Sequence, residues 1–131
     1  MSRAKQLACA LLAVVASACS ENLRPEDASF TGRVSVTTEV TKNQTVVALD
    51  SVEAASPAFT VRAEAARIFV GHETKIFAED AAGRRTSISA SSVAPGSTAI
   101  VWTTGAEMRT LPPTYEARAI VILPKKLVAA R

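Results

Sequence analysis

From residue 30 to residue 40 the chain alternates with a period of two. Phe30, Gly32, Val34, Val36, Thr38 and Val40 fall on one side, and Thr31, Arg33, Ser35, Thr37 and Glu39 on the other. Successive strand side chains point to opposite faces, so this pattern predicts a half-buried β-strand and disfavours a helix of period 3.6. Gly32 inside such a strand predicts a bend or bulge. Lys42, Asn43 and Gln44 supply a turn, and residues 45–49 resume the strand with Val46, Val47 and Leu49. Further short alternating segments follow at 59–63, 67–70, 74–78, 87–89, 98–103 and 117–123.

Between them lie turn-forming residues. Pro57 cannot donate to a ladder. Gly83 marks a turn over 80–85, and residues 90–94 suit one helical turn. Pro95-Gly96 occupies the two central positions of a type II turn. Pro112 and Pro113 predict an irregular connection over 107–114. In the last strand the alternation places Ala117, Ala119, Val121 and Leu123 on one side, with Arg118, Ile120 and Ile122 on the other. Many short strands with closely spaced turns predict an all-β fold. The expectation is a small barrel of five to six strands over residues 29–124, since that many strands in this length fit a small barrel better than a seven-stranded sandwich. Residues 125–131 read as a tail.

The first 28 residues follow a different logic. Arg3 and Lys5 precede an apolar run from 7 to 15, then the small residues Ala16, Ser17 and Ala18. This is the pattern of an export signal over residues 1–18. The run is too short to span a bilayer, which takes about 20 residues. Cys9 lies within it, so of the two cysteines only Cys19 belongs to the mature chain. A lone cysteine after export calls for a role. The segment ending at Cys19 resembles a lipobox, which implies that Cys19 carries a lipid anchor; ordinary cleavage after Ala18 is the alternative. Ser20 follows the cysteine, and by the same resemblance implies an outer-membrane address, facing the periplasm, in a host with two membranes. Residues 19–28, polar and containing Pro25, read as a tether.

Charge narrows the partners. The chain has 15 Lys+Arg and 12 Asp+Glu, and loss of Arg3 and Lys5 leaves 13 against 12. A nearly neutral mature chain gives no reason to expect nucleic acid. Catalytic groups are sparse. His72 is the sole histidine, in Gly71-His72-Glu73, and reads as a solvated turn residue without companion metal ligands. Glu26-Asp27 and Glu79-Asp80 are sequence neighbours that point apart, and no serine sits in a nucleophile elbow. No cofactor is expected.

Residues 92–122 carry a resemblance. Ser92-Val93, Gly96, Val101-Trp102, Gly105, Leu111-Pro112-Pro113, Ala117, Ala119 and Ile120 to Ile122 are similar to the YobA-like family of small secreted or lipid-anchored bacterial domains. Gly32-Arg33-Val34 and Thr74-Lys75-Ile76-Phe77 fit the same scheme. Leu111 stands where the family often has tyrosine. The resemblance implies an OB-like barrel and an envelope location, and no activity.

These readings lead to a non-enzymatic envelope binding module, meeting an envelope protein or a small ligand. A small hydrolase or metal-dependent enzyme, and an OB-type nucleic-acid binder, are the alternatives. Recognition is expected on the loop over 105–115, with Arg109, Leu111 and Tyr115 beside Trp102 as the candidate contacts. Long loops on rigid β scaffolds carry recognition. Trp102 itself, sharing strand parity with Ile100, is expected to pack in the core or at the barrel mouth rather than to stack a ligand. The competing reading of the loop is that its prolines fold it over one barrel end, which Leu111 plugs.

Overall fold

The computed structural model describes residues 23–61 and 63–124. Residues 1–18, expected as a signal, Cys19, and residues 125–131, expected as a tail, lie outside them. The strands are β1 Phe30–Thr41, β2 Gln44–Ala54, β3 Ala66–Val70, β4 Lys75–Glu79, β5 Arg85–Ser87, β6 Thr98–Met108 and β7 Thr114–Ile122. They form one sheet of order β3-β2-β1-β6-β7-β4-β5, and β3 also pairs with β7, in parallel. That added pairing closes a five-stranded ring, β1-β2-β3-β7-β6. The antiparallel meander β1-β2-β3 is thus joined to the antiparallel pair β7-β6 through one parallel seam. The fold is therefore all-β and barrel-like, as the alternation predicts. The β4–β5 hairpin is appended to β7, where β4 runs parallel to Ala119–Ile122, and raises the strand total to seven.

Inside the ring, Phe30, Val34, Val47, Leu49, Ile68 and Ile120 are nearly or fully buried. Burying side chains of this size stabilises a fold by about 1.5–3 kcal/mol each. Phe30, Phe59 and Tyr115 form an aromatic cluster with centroids 5.1–5.5 Å apart. Of residues 59–63, expected as a strand, 59–61 and 63 are irregular, and residue 62 lies outside the described residues. Phe59 and Val61 instead pack their side chains on the core, which fixes the segment without a ladder.

Two bulges redirect faces that simple alternation would keep constant. Val34 opposes Leu49 while Val36 opposes Ala48, so Ser35 is an extra residue. Beyond it the parity inverts: Val36 is turned out and 51% exposed, and Thr37 pairs with the buried Val47. In β7, Trp102 opposes Ala119 and Thr103 opposes Ala117, so Arg118 is extra. Ala117 therefore joins the ring interior with Ile120 and Ile122, whereas Ala119 and Val121 face the other way. Bulges of this kind bend the strand and add twist, as closure of a small ring requires. At Gly32 the expected irregularity is present. The register shifts between Thr31 and Arg33, with one extra residue on β2, where Ser51 has φ +54°. A Cβ at Gly32 would lie 3.1 Å from Leu49. The Pro95-Gly96 turn also forms: Ser97 N–H donates to Ala94 O at 3.3 Å, and Gly96 has φ +89°, as the third position of a type II turn demands.

A second apolar cluster sits on the outer face of β6 and β7. Ile100, Trp102, Ala119 and Val121 are covered there by Leu23 and Ala28. The segment expected to be a tether is therefore docked from Leu23 onward. It makes a 3-10 turn at Pro25–Asp27, and Arg85 Nη1 donates to Leu23 O at 2.7 Å. The physical reason is Trp102: an indole on the outer face of a strand needs a cover, and the preceding chain supplies it.

Candidate functional site

The candidate contacts around the 105–115 loop separate into two groups. Trp102 is 2% exposed and Tyr115 4% exposed. Trp102 lies under the N-terminal strap, and Tyr115 is in the aromatic core, so neither ring is offered to a partner. This corrects the placement of Tyr115 as a surface contact; its inward parity on β7, shared with Ala117, decides it. Arg109 is exposed, and Leu111 is 94% exposed. Leu111 thus does not plug the barrel end, and Met108 beside it is 62% exposed. Both β6 and β7 extend further than expected, which leaves only residues 109–113 as the connection. Thr110 Oγ1 donates to Pro112 O at 2.6 Å, tying the loop to itself.

A concavity lies beside this tip, and alternation alone does not identify it; a larger hollow of about 570 Å³ sits elsewhere, between Val36, Lys42 and Ser89. β7 changes parallel partner along its length, from β3 at Thr114–Glu116 to β4 at Ala119–Ile122. The gap falls at the Arg118 bulge and is spanned by the β3–β4 turn. Thr74 Oγ1 pins that turn by donating to Ala117 O at 2.8 Å and accepting from Gly71 N–H at 3.1 Å. A split between neighbouring strands leaves a crevice, for the same reason that ligands favour switch points in open sheets. Here the crevice is about 310 Å³, lined by Gln44, Phe69, His72, Glu73, Glu116 and Arg118 among others. A second hollow of about 280 Å³ adjoins it toward the tip, with Phe69 and Glu116 shared and Met108 at its far side. Together they form one open trough with Phe69 at its centre.

Phe69 is there because of strand parity. Ala66, Ile68 and Val70 turn inward and are buried, so Arg67 and Phe69 turn outward. The available signal was an aromatic among the outward residues of a short strand. Glu116 is oriented by Thr104, whose Oγ1 donates to its Oε1 at 2.9 Å. Thr104 reaches it because Gly105, at φ +101°, lets β6 bulge opposite Glu116. His72 does line the trough, but no group of three or more His, Cys, Asp or Glu suited to a metal occurs among the described residues. The Arg33 guanidinium is raised above its ordinary pKa by its hydrogen bond and charge pairing with Asp50, at 3.0 Å.

No helix among the described residues is long and apolar enough to cross a membrane. No protein family, curated protein or solved structure matches the chain.

Proposed function

We propose that this protein is a lipid-anchored envelope binding module, held to the membrane through Cys19 and engaging its partner along the Phe69 trough and the adjoining β6–β7 tip. The YobA-like resemblance belongs to the same proposal. The observation that carries it is the opposition of the docked N-terminus and the exposed tip. Leu23 shares a cluster with Leu123 and bonds to Arg85, at the end of the β6–β7 ladder remote from the tip. β7 runs from Thr114 at the tip to Ile122, about 26 Å for eight strand steps.

Four residues of chain from Cys19 to Leu23 reach at most about 14 Å. A lipid on Cys19 would therefore keep the Leu23 end near the membrane and direct Met108, Leu111 and the trough away from it. That arrangement favours a partner in the aqueous envelope space over the lipid surface itself. The test is co-purification from envelope membranes with the full chain, Phe69→Ala, Leu111→Ser and Cys19→Ala. The reading requires that Cys19→Ala lose membrane retention and that at least one trough or tip variant lose its partner while remaining folded.

A further inference from the structure

We propose that the trough binds a glycan strand of neutral or N-acetylated sugars, an assignment that rests on the binding reading above and gives its ligand class. Three features converge on this. Phe69 presents a partly exposed ring midway between two hollows of about 310 and 280 Å³, each near the small end of the range of roughly 300–1,000 Å³ for ligand pockets. Because the trough is open along its length, it suits consecutive units of a polymer. An aromatic face is apolar and packs against the C–H face of a pyranose ring, while the hydroxyls at the ring's edge remain to be hydrogen-bonded.

The second feature is the set of groups around that ring. Gln44, Glu116 and Arg118 border the Phe69 hollow. Amide, carboxylate and guanidinium groups present paired donors or acceptors in one plane, which matches the adjacent hydroxyls of a sugar. The Thr104 hydrogen bond holds Glu116 in place before any ligand arrives, limiting the ordering cost of binding. Toward the tip the lining becomes apolar, with Ala106 and Met108, a suitable contact for an acetamido methyl.

The third feature is charge. Three carboxylates, Glu73, Glu107 and Glu116, line the trough with one guanidinium, Arg118, among the described residues. A polyphosphate would meet net repulsion where nucleic-acid sites supply Lys and Arg. An uncharged polyol meets none.

Calorimetric titration of the purified full chain in detergent tests the assignment, with N-acetylglucosamine tetramer, maltotetraose and an eight-nucleotide oligothymidylate as probes. Saturable binding of at least one glycan is expected, with no comparable binding of the oligonucleotide. Phe69→Ala should weaken it at least tenfold, Glu116→Gln several-fold, and Phe69→Tyr should retain it; Val36→Ala, an exposed residue away from the trough, should leave it unchanged. Circular dichroism confirms that each variant is folded, and Glu116→Gln decides the matter should Phe69→Ala not fold. Absence of saturable binding to both glycans, equal binding by the parent and the trough variants, or tighter binding of the oligonucleotide would each overturn the proposal. If glycans fail while Phe69→Ala still loses envelope capture, the trough remains the binding site and the glycan class alone is rejected.

Discussion

Phe69 of β3 and Glu116 of β7 are register partners in the parallel seam that closes the ring, and both turn to the outer face. The same pairing thus completes the barrel and places an aromatic ring beside an acid that Thr104 orients. Variants on this seam can affect the scaffold as well as the surface, so fold and binding have to be read separately for each.

Tyr115→Ala should damage the fold. The ring packs against Phe30 at 5.2 Å and Phe59 at 5.5 Å, and removing a buried aromatic costs about 3–5 kcal/mol. Denaturant titration should show a midpoint shift of that size, while Leu111→Ser, at a residue 94% exposed, should change stability by no more than about 0.5 kcal/mol.

Trp102 offers a direct reading of the strap, because it is the only tryptophan in the chain. Leu23 and Ala28 cover it. Leu23→Asp should release the strap and shift the fluorescence maximum to longer wavelength, with the β-sheet circular dichroism retained. An unshifted spectrum would mean that the indole is shielded by other residues.

Much of the barrel was legible in local sequence. Phe30 to Val34 alternate as a strand whose inward residues are buried, and Pro95-Gly96 makes the turn its composition predicts. The parts that were not legible are non-local. Ser35 and Arg118 are bulges, and no local pattern distinguishes an extra residue from a regular one, although each reverses every following side chain. The burial of Leu23 depends on Trp102, 79 positions away in the sequence. The trough depends on β7 exchanging β3 for β4, a pairing of distant segments. Tyr115 illustrates the consequence for the site: its proximity in sequence to an exposed loop suggested a contact, but strand parity places it in the core.

Lipidation of Cys19 is open to a simple check. The mature N-terminus should be Cys19 carrying an acyl-bearing group, with residues 1–18 removed, and Cys19→Ala should abolish both the modification and signal release by the lipoprotein peptidase. Intact-mass spectrometry of the membrane fraction distinguishes these states, and an unmodified mature N-terminus would exclude the anchor.

His72 borders the trough, so it also provides a test between binding and catalysis. A binding role predicts that ligands are recovered chemically unchanged and that His72→Ala alters affinity by no more than a few-fold. Mass spectrometry of the probe glycans after prolonged incubation checks the point, and cleavage lost in His72→Ala would favour an enzyme.

The central claim, that an anchored barrel meets its partner through the Phe69 trough, is tested most directly by site-specific photocrosslinking in intact cells. A photoreactive residue would replace Met108 at the trough's rim or Val36 on the surface away from it, both exposed. The account predicts a discrete adduct from position 108 that is reduced by Phe69→Ala, and no such adduct from position 36. Equal labelling from both positions, or labelling at 108 indifferent to Phe69→Ala, would contradict it.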